Sequence, residues 1–165
     1  MTMIITRPAT PADAAVIAAI YNQGIADRIA TFETQPRSEA DILSWFQGRH
    51  PVVVAEDDGA VRAFASSSTY RSRACYDGVA EFSVYAERGY RGRGAGRAAI
   101  LALIDAVAPV GIWKLVSRVF VENAASRTML RSVGFREVGV YEKHAKLDGV
   151  WRDVVIVERM IAANL

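Results

Sequence analysis

Residues 91–96 read Arg91-Gly92-Arg93-Gly94-Ala95-Gly96, and they stand between two apolar stretches of different period. Before them, Glu81-Phe82-Ser83-Val84-Tyr85 reads as a strand. After them, Ile100, Leu103, Ile104 and Val107 recur at helical spacing. A glycine-rich turn that opens a helix presents unpaired backbone N–H groups, and the helix dipole favours an anion in front of them. Glycine lets the backbone approach a phosphate where a Cβ would clash. Arg88, Arg91, Arg93 and Arg97 place positive charge around the turn. The stretch therefore predicts a pyrophosphate cradle; the plain alternative is a Gly/Arg surface loop.

Two other phosphate loops are excluded by spacing. A Walker A loop ends in Lys-Ser/Thr, which is missing here. A dinucleotide fingerprint reads Gly-x-Gly-x-x-Gly, and Gly92-Arg93-Gly94-Ala95-Gly96 does not fit it.

The chain has 165 residues, which suits one domain over 1–165 with a real core. A net charge of +2 gives no strong pull toward nucleic acid. The single Cys75 excludes an internal disulfide, suits a reducing cytoplasm and has no companions for a metal site. No apolar run reaches membrane length, and the N-terminus lacks a signal-peptide pattern.

Elsewhere the pattern alternates helices and strands. Strands are expected over residues 3–7, 51–56, 61–69, 80–86, 114–120, 138–146 and 151–160, with turns at Asp57-Asp58-Gly59 and Asp148-Gly149. Thr10-Pro11-Ala12-Asp13 starts one helix and Ser38-Glu39-Ala40-Asp41 another, the latter with Ile42, Leu43, Trp45 and Phe46 mostly inward. Asn123 caps a later helix that Gly134 stops. The fold class is α/β of the α+β kind: a mixed, mostly antiparallel sheet flanked by helices, with one parallel crossover.

Arg91, Gly94 and Gly96, read as Arg-x-x-Gly-x-Gly, resemble the acyl-coenzyme A loop of the GCN5-related N-acetyltransferase superfamily. Asn123-Ala124-Ala125-Ser126 followed by Leu130 and Gly134-Phe135 is similar to a second segment of that superfamily, and the element order is similar throughout. The resemblance implies acetyl-CoA as cosubstrate, held by Val84, Tyr85, Arg91, Gly92, Arg93, Gly94, Ala95, Gly96, Arg97, Asn123 and Ser126. It implies no metal.

A narrower resemblance rests on Tyr21-Asn22-Gln23-Gly24-Ile25, Thr31-Phe32-Glu33-Thr34-Gln35-Pro36, Tyr70-Arg71-Ser72-Arg73-Ala74-Cys75-Tyr76, Val79-Ala80-Glu81-Phe82-Ser83-Val84-Tyr85 and the tail Lys146-Leu147-Asp148-Gly149-Val150-Trp151-Arg152-Asp153-Val154. These look like the phosphinothricin, methionine sulfoximine and arsinothricin N-acetyltransferases. Trp113-Lys114-Leu115-Val116-Ser117-Arg118-Val119-Phe120 looks like the arsinothricin branch. The implied reaction is acetylation of the α-amine of a glutamate-like amino acid, an antibiotic or herbicide resistance chemistry. A homodimer is implied too, with which the apolar run Val154, Val155, Ile156 and Val157 is compatible.

An α-ammonium must lose a proton before it attacks a thioester, so a general base belongs near it. Glu81 is the candidate: a carboxylate inside an apolar strand is unexpected unless used or paired, and partial desolvation favours its protonated form. The alternative is an edge-strand Glu in a salt bridge. Backbone N–H groups over 83–85 are the expected donors to the thioester oxygen. Many superfamily members carry a Tyr as acid where this chain has Leu130, so the acid is left open.

Arg71 and Arg73 share a face if the segment is extended, and two guanidinium forks suit a carboxylate or phosphinate. A solvated basic loop is the alternative. Tyr76 offers a hydroxyl, Phe32 and Tyr21 offer pocket walls or simple core packing, and His144 is a titratable group on the late strand. Other acceptors remain open: a polyamine, an aminoglycoside or a protein N-terminus. So does a non-catalytic CoA-binding regulatory domain.

Overall fold

The computed structural model describes residues 3–165; Met1 and Thr2, with which the expected domain begins, lie outside the described residues. In chain order the elements are β1 (Ile4–Pro8), α1 (Ala14–Asp27), α2 (Glu39–Leu43), β2 (Val52–Asp57), β3 (Ala60–Thr69), β4 (Val79–Ala86), α3 (Ala95–Val107), β5 (Lys114–Phe120), α4 (Ala124–Ser132), β6 (Arg136–Leu147) and β7 (Val150–Met160). The strands form one sheet in the order β1-β2-β3-β4-β5-β7-β6. Among the described residues only β4 and β5 pair in parallel. A parallel pair needs a crossover, and α3 supplies it. This is the mixed sheet that the sequence pattern predicts.

Local chemistry explains the joints. Asp58 with Gly59, and Asp148 with Gly149, all have positive φ, between 50° and 78°. That is the backbone of a two-residue turn matched to strand twist, and it is why Asp-Gly stands at both. The Thr10–Asp13 start opens on a 3-10 turn at Pro11–Asp13 before α1 begins at Ala14. Ser38 Oγ accepts from Asp41 N at 3.1 Å and Asp41 Oδ2 accepts from Ser38 N at 2.7 Å, a reciprocal cap for the short α2.

The sheet is covered on both faces. In β2, Val53 and Ala55 join the core beneath α3, built with Ile100, Leu103, Val107 and Leu115. Val52 and Val54 point the other way, to Ile17, Ile20, Ile25, Ile42 and Phe64 beneath α1 and α2. Period-two alternation with both faces buried accounts for the unbroken apolar run Val52-Val53-Val54-Ala55.

One expectation of placement fails. Leu43 is 38% exposed, because the helix tightens into a 3-10 turn at Ser44–Gln47 and turns it outward. Val154, Val155 and Val157, each 1% exposed, serve this chain's own core. They offer nothing to a partner subunit.

Candidate active site

The site grows from a gap in the sheet. β4 and β5 pair only at Val79–Lys114, Ala80–Leu115 and Glu81–Val116. Beyond Glu81, β4 stays with β3 as far as Ala86, while β5 stays with β7 as far as Phe120. The strands part, and the β4 edge that faces β5 loses its ladder partners. Ser117 Oγ donates to Phe82 O at 3.0 Å at the start of the gap.

A cavity of about 350 Å³ fills the gap, walled by residues 81–85 and 117–120 with Tyr21, Phe32 and Leu130. It continues into a second cavity of about 270 Å³ at the glycine loop; Val84, Tyr85, Asn123 and Ser126 line both. Arg91, Gly92, Gly94, Gly96 and Arg97 line the second. Gly92 and Gly94 have φ of +78° and +88°, a left-handed turn that L side chains resist. Gly94 has no side chain to cap α3, so the helix presents its first N–H groups to that cavity. Gly96 differs from both in having no positive φ, and a Cβ there would meet only Val84 Cγ2, at 3.9 Å. The protein alone leaves room in front of Gly96, as a phosphate cradle requires.

The loop arginines are less uniform than their spacing suggests. Arg88 and Arg91 each reach Asp27, at the end of α1, at 2.7 Å. The Arg88 hydrogen bonds, with help from Arg91 and against some desolvation, hold the Asp27 carboxyl below the usual carboxylate range. Arg97 lines the cleft and makes no ion pair among the described residues. Two expected ligands turn elsewhere. The Arg93 guanidinium lies over the Tyr90 ring, 5.0 Å from its centroid, and lines a separate depression. Ala95 is 1% exposed and packs in the core, so only its backbone remains for the loop.

Asn123 combines its two readings. Its side chain accepts from Ser126 N at 3.2 Å as the cap of α4, and its Nδ2 donates to Ile29 O at 3.2 Å. The cap thus also ties the wall at residue 29 to the cleft. Tyr85 packs against Gly24, where a Cβ would come within 2.6 Å of its ring. Burial pushes the Tyr85 phenol up, so it keeps its proton.

Glu81 stands at the inner end of the gap. Arg118 Nη2 donates to Glu81 Oε1 at 2.7 Å, and the two side chains keep 48% and 33% of their exposure. The carboxylate is in a salt bridge, as the plain alternative expects, but on the interior strand β4 rather than on an edge strand. On the far side of Glu81 lies a third cavity of about 240 Å³, lined by Arg71, Tyr76, Tyr141 and His144. Glu81, Ser117 and Arg118 line both this cavity and the first. The structure thus brings Glu81, Arg71, Tyr76 and His144 to one cavity, while Tyr21 and Phe32 line the first cavity with Glu81.

Tyr21 and Phe32 do both of the things considered for them. Tyr21 is 9% exposed and packs on Tyr85 at 5.0 Å. Phe32 meets Phe120 edge-on at 4.9 Å. Arg73 does not join Arg71. β3 ends at Thr69 and the chain bends at residues 72–73 into a 3-10 segment at Ala74–Tyr76, so no strand carries Arg71 and Arg73 on a common face. Arg71 lies over the Tyr70 ring at 4.9 Å, while Arg73 is exposed outside the cavities. The lone Cys75 is exposed in the same 3-10 segment.

Arg118, Ser117 and Asp27 escape sequence reasoning. For Arg118 the signal was present: a charged residue within the apolar strand Lys114–Phe120.

Comparison with known proteins agrees with this geometry. Residues 18–135 match the acetyltransferase (GNAT) family. An L-methionine sulfoximine/L-methionine sulfone acetyltransferase of Salmonella typhimurium is 30% identical over 156 residues, covering 92% of this chain and 91% of the relative. The phosphinothricin N-acetyltransferase of Streptomyces coelicolor is 29% identical over 160 residues, covering 93% and 94%. A phosphinothricin acetyltransferase of Sinorhizobium meliloti, solved in complex with acetyl-CoA, superposes with a TM-score of 0.88 at 30% identity, over 95% of this chain and 88% of that one. The chain belongs to the acetyltransferase (GNAT) family. Relatives that span nearly its whole length are named as amino-acid N-acetyltransferases.

Proposed function

We propose that this protein transfers acetyl from acetyl-CoA to the α-amine of a glutamate-like amino acid such as phosphinothricin, arsinothricin or methionine sulfoximine. The observation that carries the reading is the placement of Glu81. Glu81 lines both a cleft that runs to the glycine loop and a cavity lined by Arg71 and Tyr76. A donor thioester on one side and an acceptor amine on the other would meet at this carboxylate.

The residues fit the roles. The backbone of residues 92–96 and the start of α3 would hold the pyrophosphate, with Arg97 beside them. Asn123 and Ser126 border the arm that leads to the gap. Bound acetyl-CoA supplies the activated acetyl group. Glu81 takes the proton from the α-ammonium, directly or through one water. The unladdered β4 edge over residues 83–85 offers N–H donors where negative charge develops. Leu130 is 2% exposed and has no acidic proton, so this side chain does not act as the acid. Arg71 and Tyr76 suit an anionic end of the substrate, which argues against a polyamine or aminoglycoside.

The same reading includes a homodimer and a cytoplasmic setting. Val138, Val140, Tyr141, Val150 and Trp151 are 46–59% exposed on the β6–β7 pair, and Val138 and Tyr141 also line the third cavity. Sedimentation at micromolar concentration is expected to show twice the monomer mass. The exposed free Cys75 suits a reducing compartment.

The test is CoA release by the purified protein with acetyl-CoA and a panel of those three amino acids beside glutamate, spermidine and kanamycin. Turnover confined to the tetrahedral-ended amino acids is expected. Turnover only with the cationic amines, or none, would discard the substrate assignment; with none, a regulatory CoA-binding domain becomes the better reading.

A further inference from the structure

β6 carries an irregularity where it borders the site. Tyr141 pairs with Val154 and Ala145 with Arg152, so Glu142, Lys143 and His144 stand opposite the single residue Asp153. In a regular strand, side chains at i and i+3 leave opposite faces. Here Tyr141 and His144 line the same cavity, with ring centroids 5.0 Å apart. The bulge makes that possible. Lys143 at its centre has φ 47°, a left-handed backbone that a lysine holds only where its surroundings compensate. Asp153 provides the compensation: Lys143 N donates to Asp153 Oδ1 at 2.7 Å, a charge-assisted bond.

From the bulge the contacts run inward. Arg118 Nη1 donates to His144 Nε2 at 3.4 Å, which requires that nitrogen to be unprotonated. The other arm of Arg118 holds Glu81. Asp153 itself lines none of the three cavities. We propose that Asp153 is a positioning residue for acetyl transfer, its carboxylate fixing the bulge at 142–144 that sets His144 against Arg118 and Arg118 against Glu81. The inference rests on the reading of Glu81 as general base.

The experiment compares Asp153→Ala, Asp153→Asn, His144→Ala, the double variant Asp153→Ala/His144→Ala and Glu81→Gln in CoA release. In Asp153→Ala, kcat falls about tenfold, the scale of a slightly misplaced catalytic group, while the KM for acetyl-CoA stays within about twofold. Asp153→Asn keeps the oxygen acceptor and most of the turnover. The double variant loses no more than His144→Ala alone, since both act through one contact. Losses that multiply, or an Asn variant as poor as the Ala variant, overturn the inference. If Asp153→Ala does not fold, as judged by circular dichroism, Asp153→Gln replaces it; a folded Gln variant with wild-type kcat overturns the proposal equally. Loss in Glu81→Gln with full turnover in Asp153→Ala overturns this inference and leaves the base in place. Full turnover in Glu81→Gln overturns both.

Discussion

Arg118 reaches Glu81 across the point where β4 and β5 separate. The last parallel pair is Glu81 with Val116, and Arg118 stands one strand repeat farther on, on the same face as Val116. Its Nη2 donates to Glu81 Oε1 at 2.7 Å over the mouth of the gap. Both partners are partly exposed, and such a pair adds only about 0–1 kcal/mol to stability. Its effect belongs to orientation: one guanidinium arm holds the carboxylate of a residue that lines two cavities. Arg118→Ala is expected to lower kcat about tenfold with Tm changed by no more than about 3 °C. Steady-state kinetics beside a thermal melt decide it. A clear fall in Tm with unchanged kcat would make the pair a structural one.

Gly96 separates the needs of the fold from those of a ligand. Gly92 and Gly94 are glycines because their φ is positive; Gly96 is the second residue of α3, where a Cβ would make only an ordinary contact with Val84. Alanine in a helix is favoured over glycine by about 0.5–1 kcal/mol. Gly96→Ala is therefore expected to hold or raise Tm while weakening acetyl-CoA binding about tenfold or more, read by calorimetric titration. Unchanged affinity would mean that no ligand backbone or phosphate comes close to residue 96.

Legibility followed the range of the interactions. The Lys114–Phe120 strand, the Asn123 cap and the glycine turn are local, and their residue types announce them. Partners brought together by the sheet are not announced. Asp27 meets Arg88 and Arg91 only because α1 lies against the turn after β4. Arg118 meets Glu81 only because β5 returns beside β4. The bulge at 142–144 was hidden for another reason. Nearly every residue from 138 to 144 is exposed, so no inside-outside alternation exists for an extra residue to interrupt. Arg71 and Arg73 misled because their common face assumed an extended chain, whereas β3 stops at Thr69.

Asp13 ties the first strand to the first helix. Arg7 donates to both of its oxygens, at 2.7 and 2.8 Å, and Thr10 N donates at 2.8 Å. Asp13 is 6% exposed, and Arg7 also reaches Glu56 on β2 at 2.9 Å. The Arg7 hydrogen bonds, then Thr10, hold the Asp13 carboxyl below its ordinary value against desolvation. A depressed carboxyl contributes stability that is present above about pH 4 and is lost as pH falls through the folded value. Asp13→Ala leaves a half-buried guanidinium short of a partner and is expected to cost about 2–3 kcal/mol at pH 7, or about 5–10 °C in Tm. A drop under about 2 °C would show that Glu56 alone satisfies Arg7.

His50 is expected to govern a separate window of pH. Its Nδ1 is buried without a partner, while Nε2 lies 3.2 Å from Thr69 Oγ1. Burial, and then the neighbouring charge of Arg49, push the imidazole below its ordinary value. Between the folded and unfolded values the unfolded chain binds more protons, so stability falls as pH drops below about 6.5 and through the folded value. The depressed carboxyls of Asp13, Asp27, Glu137 and Glu158 act lower, below about pH 4.5 and outside the range from pH 7 to pH 5. His50→Gln keeps a polar side chain that does not titrate. Melts from pH 7 to pH 5 should therefore show Tm falling more steeply in the wild type than in the variant. Parallel curves would mean that His50 accepts its proton in the folded state as readily as in the unfolded chain.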